Sequence, residues 1–235
     1  MVHPPRMLPQ PAWTREMTWM LLAGMAVAAV AHFFDEAAYL YVKGGSSPVV
    51  GAMARFTDVG ESQWYLVPAG LIFLGIAFLD WEAGARSRKA RLARLFGQAG
   101  YAFAAVAVAG IINNLFKLIV GRARPKLFDG GGALQFDPFT PGYDYASFPS
   151  GHSTTMGAVA MVLMIWFPRW RWPILGICAL AALTRIAAMA HYPSDVVAGF
   201  LLGLLYALFL ARWLARRRAA FRFAGDALLP VPRFG

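Results

Sequence analysis

Phe148–Thr155 reads FPSGHSTT and stands between a loop rich in Gly and Pro and an apolar run that begins at Ser153. Ser150 and Gly151 occupy the position at which a helix would begin. The first N–H groups of such a helix lack partners and carry the positive end of its dipole. Gly151 also permits close approach to the backbone. Because a helix start of this kind binds anions, phosphate above all, the stretch predicts an anion site where the chain enters an apolar helix.

The composition around this stretch indicates a membrane protein. Of the 235 residues, 59% are hydrophobic and 14% are charged, whereas soluble domains have roughly a quarter charged residues. Backbone groups in lipid must pair within their own segment, so each apolar run is predicted to be a helix. We therefore predict an all-α polytopic bundle of six transmembrane helices, forming a single domain over residues 1–235. The six runs are 18–34, 64–81, 98–120, 153–167, 173–190 and 196–215.

Lys and Arg are distributed unevenly between the two ends of the predicted helices. Fifteen of the 22 lie before the first run, after the sixth, or in the two loops on that same side. Since such residues accumulate in cytoplasmic loops, both termini are predicted in the cytoplasm, with loops 35–63, 121–152 and 191–195 on the extracytoplasmic side. Topology thus accounts for most of the net charge of +10 and disfavours nucleic acid as a partner. A bacterial inner membrane is the expected location, and the oligomeric state stays open.

The connecting loops and the single cysteine add two smaller predictions. Within the first outward loop, 48–58 is a candidate short interfacial helix between a Gly-Gly break and Gly60. Cys178 is the only cysteine, so the chain can form no internal disulfide, and a Cys-based metal site is disfavoured.

Three groups of polar residues lie at helix ends on the predicted outward side. Lys117 is near the end of the third run, and Arg124 follows it, turned out of the helix by the proline that comes next. The second group is the FPSGH stretch. In the third, Arg185 lies in the fifth run, about 9 Å from His191 along the helix, and Asp195 begins the sixth run. Alternation of six helices brings the three groups to one side of the membrane.

These side-chain types suit phosphoryl transfer. Lys117, Arg124 and Arg185 would surround a phosphate with cationic donors, and the forks of the two arginines match its oxygens. A charge inside a span costs about 3 kcal/mol, which indicates a role or an aqueous cavity for Arg185. An imidazole with a carboxylate on its far nitrogen, as His191 with Asp195, is held in one tautomer and becomes a better nucleophile. His152 would then protonate the leaving oxygen.

The spacing of these residues resembles a three-part signature. Lys117 stands six residues before Arg124-Pro125, the second part is Pro149–His152, and Arg185 stands five residues before His191, with Asp195 after three more. This pattern is similar to that of the type 2 phosphatidic acid phosphatase superfamily, which includes lipid phosphate phosphatases and, among soluble relatives, vanadium haloperoxidases. The resemblance covers about residues 50–205.

The resemblance implies a role for each matched residue. His191 would be the nucleophile that forms a phosphohistidine, Asp195 would orient it, and His152 would be the general acid. No metal and no cofactor are implied, and the partner would be a membrane lipid phosphate. The third motif of the family usually begins Ser-Arg, whereas this chain has Thr184-Arg185, which puts a fine-tuning contact in doubt. The phosphate-binding residues would be Lys117, Arg124, Ser150, Gly151 and Arg185.

The predicted function is removal of phosphate from a lipid phosphate or diphosphate, of the undecaprenyl diphosphate or phosphatidylglycerol phosphate type. Dephosphorylation of lipid A, or phosphoryl transfer to another lipid or sugar, would use the same site. A non-enzymatic lipid transporter with a cationic mouth and vanadate-dependent peroxidase chemistry are the alternatives from other classes. The motifs predict phosphate binding, but they do not identify the rest of the lipid substrate.

Structural interpretations of the same residues stay open beside the catalytic ones. Asp195 is well placed for a simple helix cap. The cluster 122–126, with its three basic residues, would equally attract lipid head groups or form a solvated loop. Asn113 favours an interhelical hydrogen bond. Tyr143 is typical of an interfacial aromatic belt, with a lid over the site as the alternative. His32 is interpreted as incidental.

Overall fold

The computed structural model describes residues 10–45, 47–81 and 85–233. Four short 3-10 helices cover Thr57–Gly60, Pro125–Leu127, Gly132–Leu134 and Pro168–Trp170. Near the C-terminus, β1 (Phe221–Arg222) and β2 (Val231–Pro232) pair antiparallel, a two-residue ladder that the all-α prediction did not include. Within the described residues there are nine α-helices: α1 (Arg15–His32), α2 (Asp35–Lys43), α3 (Pro48–Arg55), α4 (Gln63–Ala77), α5 (Arg86–Val120), α6 (Phe128–Gly131), α7 (Gly151–Trp166), α8 (Arg171–Ala187) and α9 (Pro193–Arg216).

Each predicted apolar run corresponds to one helix, namely α1, α4, α5, α7, α8 and α9. In the part of the chain that is described, α5 and α9 are long and apolar enough to cross a membrane alone. α1 and α2, bent by 52° at a short break, form one further candidate span. The helical membrane fold is therefore supported, while crossing by all six helices stays a prediction. The short helix predicted within 48–58 is present as α3, and α2 was not predicted.

The end of α5 turns the chain into the predicted site. Gly121 follows α5 with a left-handed backbone, φ +57. A Cβ at this position would lie 1.9 Å from the carbonyl oxygen of Asp137, so glycine is required both for the conformation and for the close approach. Arg124 then has the extended backbone, φ −76 and ψ 158, that its following proline predicts.

α7 lies at the centre of the bundle and packs directly on the backbone of α9. Twelve of its 16 residues are buried. Cβ atoms built on Gly157, Gly199 and Gly203 would lie only 2.0, 2.3 and 1.9 Å from backbone oxygens of the facing helix region. Small residues allow helix backbones to approach closely in membranes. The start of α7 and the start of α9 are therefore held at a fixed separation.

Two features lie away from this contact. At the end of α9, the buried Arg212 donates to the carbonyls of Pro11 and Leu228, which joins the two ends of the chain. An apolar cavity of about 810 Å³ lies between α1, α5 and α9. His32, Arg122 and Ser194 are among the residues that line this cavity.

Candidate active site

Four helix ends meet at one end of the bundle: the end of α5, the start of α7, the end of α8 and the start of α9. A series of contacts links the predicted site residues there. The amide of Ser150 donates to the carbonyl of Asp195 at 3.0 Å, which joins the starts of α7 and α9. A Cβ built on Gly151 would lie 3.9 Å from Cε of Lys117, which joins α7 to α5. His191 and Asp195 face each other across the turn between α8 and α9.

Lys117 and Arg124 converge on one backbone oxygen. Nζ of Lys117 donates to the carbonyl of Ala146 at 2.5 Å, and Nη2 of Arg124 donates to the same carbonyl at 3.3 Å. Nη1 of Arg124 donates to the carbonyl of Ala190, the residue before His191. The two cations therefore lie side by side, next to the predicted nucleophile, with a neutral carbonyl as their shared acceptor.

The loop before α7 packs over Arg124. Nε of Arg124 donates to the carbonyl of Tyr143 at 2.8 Å, and the guanidinium lies 3.7 Å from the centre of the Tyr143 ring. The amide of Arg124 donates to the carbonyl of Asp144. Burial lowers the pKa of Arg124 from its ordinary value, and neighbouring Tyr143 and Asp195 act against that decrease. Tyr143 thus covers Arg124, a predicted phosphate-binding residue, and Tyr143 is itself 60% exposed.

The start of α7 has the capping chemistry that its sequence predicts. Oγ of Ser150 accepts from the amide of Ser153 at 3.4 Å and from its hydroxyl at 2.9 Å. The side chain and amide of Ser150 are therefore both engaged within the protein. The amides of Gly151 and His152 have no acceptor among the residues that the structure describes, so they are the N–H groups available to an anion.

The 3-10 helix Thr57–Gly60 forms a side wall against two predicted site residues. Nη1 of Arg185 donates to Oγ1 of Thr57 at 2.6 Å. A Cβ on Gly60 would lie 2.9 Å from Cβ of His152, so the wall contacts the imidazole without space for a side chain. Nε of Arg185 is buried and has no hydrogen-bond partner in the described part of the chain. Thr57 and Gly60 were not among the predicted site residues.

His191 is buried beside Asp195 but does not form a hydrogen bond with it. Nδ1 lies 3.7 Å from Oδ2 of Asp195, longer than a hydrogen bond. Burial lowers the pKa of His191 to about 3, Asp195 acts against that decrease, and Lys117 and Arg124 add to it. An imidazole with this pKa is neutral near pH 7, which a nitrogen nucleophile requires.

Asp195 occupies the third position of α9, where it also closes a capping box by accepting from the amide of Tyr192 at 3.0 Å. The interpretation of Asp195 as the N-cap is therefore wrong in position, since Tyr192 is the N-cap residue and Asp195 caps it from the third position of the helix. Its carboxylate additionally accepts from Ser147 and from Arg122, both at 2.6 Å. A cap alone would not need a buried guanidinium as a partner.

Arg122 corrects one interpretation made from the sequence. Arg122 and Arg124 are buried, at 2% and 6% exposure, so only Lys126 of this basic cluster lies in solvent. His32, interpreted as incidental, has its Nδ1 2.9 Å from Oδ2 of Asp35, which accepts from it. The sequence does indicate that Asp35 needs a partner, because an acidic residue next to an apolar run is costly when unpaired. It does not identify that partner.

Two further predictions concern hydroxyl and amide groups. Oδ1 of Asn113 accepts from the hydroxyl of Thr154 at 2.9 Å, which confirms an interhelical role between α5 and α7. Thr184, which replaces the usual Ser, donates its hydroxyl to the carbonyl of Ala181 in its own helix at 2.6 Å. The hydroxyl of Thr184 is therefore hydrogen-bonded within α8 and not directed to the predicted pocket.

Two curated enzymes are similar to this chain in sequence. The chain is 36% identical over 181 residues to a lipid A 1-phosphatase of Rhizobium johnstonii, a match that covers 77% of this chain and 74% of the relative. It is 34% identical over 98 residues to an undecaprenyl-diphosphatase of Sulfolobus acidocaldarius, covering 41% of this chain and 45% of that protein.

A solved structure is similar in fold. The crystal structure of a transmembrane PAP2 type phosphatidylglycerolphosphate phosphatase from Bacillus subtilis superposes with a TM-score of 0.54 at 21% identity, covering 84% of this chain and 94% of that one. Residues 98–219, which contain all three predicted motifs, match the family model of the PAP2 superfamily. This chain therefore belongs to the PAP2 superfamily.

Proposed function

We propose that the protein is an integral membrane phosphatase that removes phosphate from a lipid phosphate or diphosphate through a phosphohistidine on His191. The observation that carries the proposal is the convergence of Lys117, Arg124, His191 and the open start of α7 at one end of the bundle. The similarity to lipid A 1-phosphatase and undecaprenyl-diphosphatase supports it.

Phosphate binding would begin with an exchange of acceptors. The carbonyl of Ala146 now accepts from both Lys117 and Arg124. A phosphate oxygen is charged and forms stronger bonds with these cations than a neutral carbonyl does. The phosphate would therefore take over these donors, with Arg185 and the amides of Gly151 and His152 on its remaining oxygens. Charge on the equatorial oxygens in the transition state would be stabilised by the same groups.

The chemical step would be an in-line displacement at phosphorus. Nδ1 of His191 faces Asp195, which leaves Nε2 to form the new bond to phosphorus as the bond from phosphorus to the lipid oxygen breaks. The leaving oxygen takes a proton from His152. The imidazole then carries a positive charge, and its Nδ1–H points towards the carboxylate of Asp195. Water, deprotonated by His152, would hydrolyse the phosphohistidine and release inorganic phosphate.

Lipid A is the first substrate to test, because a relative that matches 77% of this chain is a lipid A 1-phosphatase. Undecaprenyl diphosphate and phosphatidylglycerol phosphate present the same chemical group to the pocket. The acyl or prenyl chains would stay in the bilayer while the head group enters between the helix ends. The Lys and Arg distribution favours cytoplasmic termini with the site on the extracytoplasmic side, and we expect the membrane to be a bacterial inner membrane. Phosphoryl transfer to another acceptor would require only that the acceptor replace water.

The test is phosphate release by the purified protein, in matched detergent, from lipid A, undecaprenyl diphosphate and phosphatidylglycerol phosphate. We expect turnover in EDTA, inhibition by vanadate, and a loss of about 1,000-fold or more in H191N, which keeps the size of the side chain but removes the nucleophile. Lys117→Met should weaken substrate binding. Lys126→Met, the loss of an exposed lysine nearby, is the matched control and should retain activity.

Three results would contradict the proposal. Phosphate release from none of the three lipids would remove the lipid phosphatase assignment. Undiminished turnover in H191N would exclude His191 as nucleophile. Lipid translocation by both the wild-type protein and H191N, with phosphate release by neither, would favour a transporter.

A further inference from the structure

Arg122 forms a complete set of hydrogen bonds behind the predicted nucleophile. Its Nη1 donates to Oδ1 of Asp195 at 2.6 Å and to Oγ of Ser194 at 2.7 Å. Nη2 donates to Oδ2 of Asp35 at 2.7 Å, and Nη2 and Nε both donate to the carbonyl of Ala133. A guanidinium has five N–H donors, and every one of them has an acceptor. The side chain is therefore fixed in both position and orientation.

Asp35 forms the far side of this arrangement. It lies in the first turn of α2 and is fully buried. Oδ1 accepts from the amide of Ser194 at 2.9 Å, while Oδ2 contacts the hydroxyl of Ser194 at 2.6 Å and Nδ1 of His32 at 2.9 Å. Asp35 thus holds Arg122 from one side and the first turn of α9 from the other.

Asp195 is held so that its two oxygens have different surroundings. Oδ1 accepts from Arg122. Oδ2 accepts from the hydroxyl of Ser147 at 2.6 Å and from the amide of Tyr192 at 3.0 Å, and it is the oxygen that faces His191. The guanidinium therefore fixes the carboxylate from behind and leaves the other edge towards the imidazole.

Stability alone is a weak reason for this arrangement. Charges taken out of water lose hydration that their mutual attraction only partly replaces, so buried ion pairs are often no more stabilising than apolar residues. Arg122 also borders the apolar cavity between α1, α5 and α9, where an apolar side chain would be the simpler occupant. What the guanidinium provides is a carboxylate that stays ionised and cannot rotate.

We infer that Arg122 and Asp35 are positioning residues for the reaction: Arg122 fixes the ionised carboxylate of Asp195 towards His191, and Asp35 fixes Arg122. This inference rests on the proposed phosphohistidine function. When Nε2 of His191 bonds to phosphorus, the ring gains a positive charge that needs an ionised acceptor at Nδ1. Neither positioning residue contacts the phosphate, so their effect falls on the chemical step and not on phosphate affinity.

The test compares kcat with the inhibition constant of inorganic phosphate in purified variants. R122M should lower kcat about 100-fold, the cost of misplacing a group next to the reacting atoms, while the phosphate inhibition constant stays near that of the wild type. Arg122→Lys restores a charge and part of the bonding and should recover part of kcat. Arg55→Met, the loss of an exposed arginine at the end of α3, is the matched control and should change neither value.

Asp35→Asn keeps the size and one oxygen acceptor but removes the charge. It should lower kcat about 10-fold at unchanged phosphate affinity, and it carries the same test if R122M does not accumulate in the membrane. The inference is overturned if these variants keep the wild-type kcat, or if kcat and phosphate affinity fall in proportion, which indicates collapse of the pocket. Failure of the wild-type protein to release phosphate would instead contradict the proposed function.

Discussion

The contact between α7 and α9 differs sharply from the surroundings of α4. In α7, 12 of 16 residues are buried, whereas in α4 two of 15 are buried, Gly70 and Ile76. Glycines in α7 and α9 lie against backbone atoms of the partner, but Gly75 of α4 has nothing within 4 Å of a built Cβ. Both helices are apolar, so hydrophobicity does not distinguish them. The difference is that α7 carries predicted site residues at its start, whereas α4 carries none.

This difference indicates where the protein tolerates change. The starts of α7 and α9 carry the open amides of Gly151 and His152 and the carboxylate of Asp195, and their separation is set by backbone contact. A peripheral helix such as α4 presents its apolar side chains outwards, where lipid replaces protein as the neighbour. Substitutions in the two regions should therefore have effects of very different size.

The largest effect is expected for Gly203→Ala. Its Cβ would lie 1.9 Å from the carbonyl oxygen of Thr154 and 2.8 Å from the amide nitrogen of Ala158, so α7 and α9 would have to separate. We expect a loss of about 3 kcal/mol in stability, and a large loss of turnover because Asp195 moves with α9. Thermal unfolding in detergent and phosphate release measure the two effects.

Gly75→Ala is the matched control for Gly203→Ala, since it adds the same methyl group to an open position. It should leave the unfolding midpoint and turnover close to the wild-type values. Equal destabilisation by both variants would show that the tight contact does not set the separation of α7 and α9.

An intermediate effect is expected for Gly60→Ala, where the segment before α4 contacts the start of α7 at His152. The added Cβ would lie 2.9 Å from Cβ of His152, and α7 cannot yield because α9 holds it. His152 should therefore shift, with a loss of about 10-fold in kcat and little change in unfolding. Gly51→Ala, at an open position of α3, provides the comparison. A wild-type kcat in Gly60→Ala would exclude a positional constraint on His152.

The smallest effect is expected for Thr184→Ser, which restores the usual family residue. The hydroxyl donates within α8, and Ser can form the same bond, so only a buried methyl group is lost. We expect a cost of about 1 kcal/mol or less in stability and an unchanged kcat. Thr184→Val, which keeps the methyl group and removes the hydroxyl, should likewise retain kcat. A higher kcat in Thr184→Ser would place that hydroxyl in contact with the substrate.

The sequence predicted the helices and the polar groups at their ends, because both depend on local chemistry. Apolar runs must be helical in lipid, Ser150 is a strong cap, and the proline after Arg124 fixes an extended backbone. These predictions concern short stretches of chain, and the structure confirms each of those local features. Convergence of the motifs was also predictable, since alternating helices return every second end to the same side.

Contacts between distant parts of the chain were not predictable in the same way. The acceptor shared by Lys117 and Arg124 is the carbonyl of Ala146, and a backbone oxygen leaves no signal in side-chain chemistry. Arg122 was interpreted as a surface cation because its neighbours are basic, whereas its partner Asp35 lies 87 positions earlier in the chain. Only the packing of α2 against the start of α9 brings the two charges together.

The position of Asp35 has a consequence for the boundaries of the family itself. The stretch that matches the family model begins at residue 98, so it contains Arg122 and Asp195 but not Asp35, the second carboxylate that accepts from the guanidinium. Transplanting that stretch into another helical scaffold would carry over the pair of Arg122 and Asp195, balanced in charge, but one N–H of the guanidinium would lose its acceptor on Asp35. The carboxylate and guanidinium beside His191 are thus held in their observed orientation only together with α2, which lies outside the matched stretch.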